Sequence, residues 1–135
     1  MTRREAREQA FVLLFEKSFQ PEIGMDELIA VNIENGQLEE DEFANGLACT
    51  AWEKVEEIDA RIEKCSIGWK KNRIAKVSLA VLRVAVCEMM FYDDIPVGVS
   101  INEAVELCKK YASAEEYSFV NGVLGAAAKL EEAQG

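Results

Sequence analysis

From Val77 to Tyr92 all but three of sixteen residues are apolar, the exceptions being Ser78, Arg83 and Glu88. A helix that is apolar all round has to be surrounded by other elements. The stretch is too short and too charged to span a bilayer. Arg83 and Glu88 must each find a partner inside, because an unpaired interior charge is costly. Asp93-Asp94-Ile95-Pro96 closes the segment, since proline restricts the residue before it.

Amphipathic partners for this central segment can be read on both sides of it. Thr2 and Glu5 make a T-x-x-E capping box, in which each side chain satisfies a backbone N–H that the helix cannot pair. The helix behind it carries Ala6, Ala10, Leu13 and Leu14 on one side, with Phe11 and Phe15 beside them. Met25, Leu28 and Ile29 give a short second helix its inner face, and Asn35-Gly36 stops it. The acidic run Glu39 to Glu42 puts negative charge at the positive end of a third helix dipole. Phe43, Leu47, Ala48, Ala51, Trp52 and Val55 form that helix's buried face. Asp59 reads as the cap of another short helix, with Ile62 inward.

Beyond the central segment, Ser100 and Glu103 spell an S-x-x-E capping box, with Val99 and Ala104 placed as a hydrophobic staple. Ser113 and Glu116 repeat the pattern, with Ala112 and Tyr117 in the flanking places. Ile101, Ala104, Val105 and Cys108 recur at helical spacing, as do Phe119, Val120, Val123, Leu124, Ala127 and Leu130. Gly122 inside the last helix costs about 1 kcal/mol against alanine, which points to a second backbone approaching closely there. The expectation is an all-α protein of about seven helices, without strands, in one domain over residues 1–135.

Cys49, Cys65, Cys87 and Cys108 are far apart, no C-x-x-C pair occurs, and the chain has no histidine. Clustered zinc ligands are therefore not expected, and the thiols read as buried and reduced. Without histidine, Ser-His, Cys-His and His-metal mechanisms are excluded. No carboxylate or lysine spacing points to catalysis, and the reading is a non-enzyme with no cofactor. The amino terminus lacks a signal peptide's apolar core.

A net charge of −10 argues at first against nucleic acid. Residues 20–60, however, hold 12 acidic groups and one basic, leaving 13 acidic and 14 basic elsewhere. The acidity belongs to one segment, and the rest has room for basic patches. At about 100° per residue, Arg3, Arg4 and Arg7 share roughly 100° of arc on the first helix. Guanidinium forks above a helix N-terminus suit phosphate, and Phe11 and Phe15, near the line of Arg4, could stack an unpaired base. Three solvated arginines above two core phenylalanines is the other reading. A second basic stretch holds Arg61, Lys64, Lys70, Lys71, Arg73 and Lys76 against Glu63 alone, with Trp69 among them.

Taken together, residues 3–10 (RREAREQA), Val81-Leu82-Arg83 with Glu88, Ile95-Pro96, Ile101-Asn102-Glu103-Ala104-Val105 and Phe119-Val120-Asn121-Gly122-Val123-Leu124 resemble the NusB family of bacterial transcription antitermination factors. The match runs in order over nearly the whole chain. The resemblance implies two small helical bundles with the central helix at their junction. It also implies a cytoplasmic function without chemistry: binding boxA RNA together with the ribosomal protein NusE, so that RNA polymerase passes terminators during ribosomal RNA transcription. Other Nus factors and the polymerase would be indirect partners, no membrane is involved, and monomer or homodimer is left open. RNA contacts carried over from the family fall on Arg3, Arg4, Arg7, Phe15 (often tyrosine in relatives), Glu115 and Phe119. Ser78 stands where relatives often have an acid. A protein-interaction adaptor or homodimer that touches no RNA is the competing reading, supported by the acidic segment and the amphipathic helices.

Overall fold

The computed structural model describes residues 1–66 and 73–134, and among these there are seven helices and no strand. They are α1 (Arg3–Phe19), α2 (Met25–Glu34), α3 (Glu42–Glu53), α4 (Val55–Cys65), α5 (Lys76–Phe91), α6 (Val97–Tyr111) and α7 (Ala114–Gln134). Helices α1 to α3 pack on one another, and α4, α6 and α7 gather round α5. α5 also packs on α1 and α3, so it is the shared wall of both groups.

The apolar composition of α5 explains that position. Leu79 to Met89 are all buried, and Val81, Leu82, Val86 and Cys87 have no exposed surface. Each large aliphatic side chain so removed from water contributes about 1.5–3 kcal/mol. The two buried charges of α5 are both paired. Arg83 grips Asp59 of α4 with two hydrogen bonds, Nε to Oδ1 at 2.9 Å and Nη2 to Oδ2 at 2.8 Å. Glu88 accepts from Arg7 of α1 at 2.6 Å and from the Ser100 hydroxyl of α6 at 2.7 Å. Each pair fixes one neighbouring helix against the core, and a fork-shaped pair does so in a single orientation.

Three helix starts follow their sequence signals. Thr2 and Glu5 form both halves of their capping box, Asp41 caps α3 by accepting from the Ala44 N–H, and the Ser113 hydroxyl accepts from the Glu116 N–H at 3.2 Å. Gly36, at φ 76°, supplies the left-handed residue that ends α2.

Three expectations are corrected. Asp59 does not cap a helix: α4 begins at Val55, and Asp59 lies buried within it as the partner of Arg83. Ser100 and Glu103 do not form a capping box either. Pro96, with φ fixed near its ring value, starts α6 earlier, so Ser100 falls inside the helix and turns to Glu88. Val99 is then exposed rather than a staple. At Gly122 no second backbone approaches; a Cβ there would meet no atom within 4 Å.

Candidate nucleic-acid interface

The three arginines at the start of α1 meet Phe43, Glu103 and Glu88. Arg3 lays its guanidinium over the Phe43 ring of α3, 4.0 Å from the centroid. Arg4 is exposed and pairs with Glu103 of α6 at 3.0 Å. Arg7 is buried, with Nε on Glu88 at 2.6 Å and Nη1 on the other oxygen of Glu103 at 3.2 Å. The three thus stay neighbours, Arg7 sharing Phe43 with Arg3 and Glu103 with Arg4, but Arg7 in their midst is buried and paired. Arg7 is spent on the interior because the buried carboxylate of Glu88 needs a cation, and the exposed cation of this turn nearest α6 is Arg4. Glu103 holds both arginines and so fixes where Arg4 can reach.

A row of rings runs down α1 from this point. Phe11 stacks on Phe15 at 6.2 Å, and Phe15 meets Phe19 edge-on at 5.0 Å. Phe11 also touches Tyr111 at the end of α6, at 4.8 Å. Phe11 is buried and Phe15 half-buried, whereas Phe19 and Tyr111 are 57% and 40% exposed. Cations flank the row at both ends. Lys110 pairs with Glu8 at 2.6 Å, and Lys76 at the start of α5 sits 5.4 Å from the Phe19 ring. The Tyr111 hydroxyl also donates to Glu8. Partial burial pushes the Glu8 carboxyl up, but the hydrogen bonds from Lys110 and Tyr111 and the Lys110 charge outweigh it and hold it below its ordinary range. Between α1 and α6 a cleft of about 320 Å³ opens, lined by Arg4, Glu8, Glu103, Lys109 and Lys110 among others.

Past Phe19, the start of α5 and the start of α7 enclose a second cleft of about 250 Å³. Arg73, Ile74, Ser78, Glu115, Glu116 and Phe119 line it. Glu115 and Phe119, which lie far from α5 in sequence, are therefore brought beside Ser78. The Ser78 hydroxyl donates to Glu116 Oε2 at 3.2 Å, so an acid does stand at this spot, supplied by α7 and not by α5. Phe119 is half-buried and Glu115 exposed. Of the second basic stretch, Arg73 and Lys76 join this surface, while Arg61 is tied to Glu131 at 2.6 Å. Trp69, Lys70 and Lys71 lie outside the described residues.

Glu115 and Phe119 thus meet in the α5–α7 cleft, Phe15 stands in the ring row of α1, and Arg4 lines the α1–α6 cleft with Arg7 buried beside it. Sequence reading missed Phe19, Tyr111, Lys110 and Glu116. The first was within reach, because Phe11, Phe15 and Phe19 recur every four residues. Tyr111 and Lys110 depend on the end of α6 packing beside α1, and Glu116 on α7 crossing α5, which no local pattern encodes.

Among the described residues no helix is long and apolar enough to cross a membrane. The NusB family model matches residues 4–129. The chain is 46% identical to the transcription antitermination protein NusB of Agathobacter rectalis over 127 residues, 92% of this chain and 97% of the relative. It is 44% identical to that of Acetivibrio thermocellus over 133 residues, covering 97% of this chain and 91% of the relative. A crystal structure of antitermination factors NusB and NusE in complex with dsRNA superposes with a TM-score of 0.84 at 33% identity, covering 95% of this chain and 96% of that one. T. maritima NusB gives a TM-score of 0.80 at 32% identity, over 96% and 92%. The all-helical architecture, the buried Arg83 and Glu88 pairs and these likenesses over nearly full length agree: the chain belongs to the NusB family.

Proposed function

We propose that this protein is an RNA-binding transcription antitermination factor, not an enzyme, which holds boxA RNA together with ribosomal protein NusE in the bacterial cytoplasm. It acts on RNA polymerase through that complex and the other Nus factors. Family membership supports the activity, and the single observation that carries the site is the juxtaposition of Phe119, Glu115 and Arg73 in one cleft at the end of the α1 aromatic row.

The proposed path of the strand runs from Arg4 and Lys110, past Tyr111, Phe15 and Phe19, to Lys76, Arg73 and Phe119. Cations at intervals neutralise phosphates and position the strand, while rings beside them take unpaired bases. Arg3, leaning on Phe43, borders the start of the path. Arg7 serves by fixing α1 and α6 through Glu88 and Glu103 and touches no phosphate. The acidic residues 20–60 are spread over α2, α3, α4 and the turns before them, and of these Glu39 borders a cleft with Glu8 and Tyr111.

The test is a titration of labelled boxA RNA, with and without NusE, at two salt concentrations. Each phosphate contact on a single strand contributes about 0.7 to the slope of log K against log salt. Arg4→Ala and Lys110→Ala are each expected to weaken binding and to flatten that slope by about this amount. Equal affinity for boxA and scrambled RNA in the presence of NusE would contradict the reading and favour a protein-only adaptor.

A further inference from the structure

We propose that Glu8 is a built-in counter-ion that closes the α1–α6 cleft until an RNA strand displaces it from Lys110. This deepens the RNA-binding reading and rests on it. Every described cation lining that cleft is already held by a carboxylate. Arg7 is buried on Glu88 and Glu103, and Arg4 shares Glu103 with it. Lys109 pairs with Glu106, three residues back on α6, at 3.6 Å. Lys110 reaches from α6 to Glu8 of α1 at 2.6 Å. A phosphate can therefore gain a cation here only by breaking one of these pairs.

The pairs differ in how readily they open. Arg7 belongs to the interior. Glu103 accepts from buried Arg7 as well as from Arg4, so it is anchored whichever way Arg4 turns. The Lys109–Glu106 pair lies within one helix and holds nothing closed. Lys110 joins two helices, yet its side chain is 62% exposed, and a lysine's flexible stem lets the ammonium swing to a phosphate. An exposed pair is weak in water, so a strand with further contacts along α1 displaces Glu8 where a lone phosphate gains little. The Tyr111 hydroxyl also donates to Glu8, but its ring rests on Phe11 at 4.8 Å and keeps that support without the carboxylate. Neutralising Glu8 therefore frees a cation and does not release the ring.

The experiment is a double-mutant cycle of boxA RNA affinity in the presence of NusE. Wild type, Glu8→Gln, Lys110→Ala and the double variant are titrated by anisotropy, and a thermal melt of each checks folding. Glu8→Gln is expected to bind about two- to fivefold tighter than wild type, the range an exposed pair allows. The gain should be smaller in the Lys110→Ala background, where no pair has to break. If Glu8→Gln does not fold, the side-chain carboxyl carbon resonance of Glu8 in labelled wild type carries the test. On addition of RNA it should move toward that of an unpaired glutamate. Equal gains in the two backgrounds would mean that Glu8 only repels phosphate through space, and weaker binding by Glu8→Gln would mean that it positions Tyr111. Either result, unchanged affinity in Glu8→Gln, or an unmoved Glu8 resonance overturns the counter-ion role while leaving RNA binding intact. Failure of the wild type to prefer boxA over scrambled RNA would instead overturn the underlying reading, and this one with it.

Discussion

Removing Arg7 separates a structural arginine from a phosphate-binding one. Glu88 has no exposed surface, and its two described donors are the Arg7 guanidinium and the Ser100 hydroxyl. Arg7→Ala strips the only cation that touches it among the described residues. Breaking a buried pair from one side costs about 3–5 kcal/mol, because the remaining charge stays desolvated without compensation. A domain of this size is stable by about 5–15 kcal/mol, so the loss is a large fraction of the total. The melting temperature should fall by roughly 10–20 °C. Urea denaturation followed by far-ultraviolet circular dichroism measures it, with the wild type and Arg7→Met/Glu88→Leu alongside. The double replacement exchanges the pair for apolar volume and should recover much of the loss. In the folded fraction, Arg7→Ala should leave the salt slope of RNA binding unchanged. A loss under about 1 kcal/mol, or a slope flattened as by Arg4→Ala, would refute the claim that Arg7 belongs to the interior.

Ser100→Ala takes the second donor from Glu88 and should cost about 1–3 kcal/mol in the same denaturation assay. Gly122→Ala places a methyl group where no atom lies within 4 Å, so it should stabilise the protein by about 0.5–1 kcal/mol. Glu8 is held below its ordinary range in the folded state, so its contribution is complete above its unfolded pKa and lost as pH falls through the folded one. The stability gap between wild type and Glu8→Gln should therefore be flat near neutrality and close in acid, as a pH series of melts would show. Burial pushes the thiols of Cys87 and Cys108 up to about 12 and about 11, so both should resist alkylation at mildly alkaline pH until the protein is denatured, as read by mass spectrometry.

Much of the fold was legible because its signals are local. The all-apolar run at 77–92 demanded a central helix, and the demand that Arg83 and Glu88 be paired was met by Asp59 and Arg7. The capping pattern at Ser100 misled because the same letters served a tertiary need, a second donor for Glu88, while Pro96 started the helix earlier. Asp59 was misread for a similar reason, since a buried partner for Arg83 and an N-cap use the same residue type. The helical wheel gave the angles of Arg3, Arg4 and Arg7 but not the neighbours that meet each angle. Phe15, Glu115 and Phe119 came from family likeness, and the cleft that joins the last two to Ser78 and Glu116 is created by the crossing of α5 and α7.

The central claim is that one face, from Arg4 through the α1 rings to the α5–α7 cleft, holds the transcript. Backbone amide chemical shifts of labelled protein, followed as boxA RNA is added in the presence of unlabelled NusE, test it most directly once shifts caused by NusE alone are subtracted. The account predicts that the remaining changes concentrate at Arg4, Phe19, Lys76, Lys110, Glu116 and Phe119. Changes concentrated instead at Glu27, Glu34 and Glu56, with the α1 row and the cleft unmoved, would contradict it.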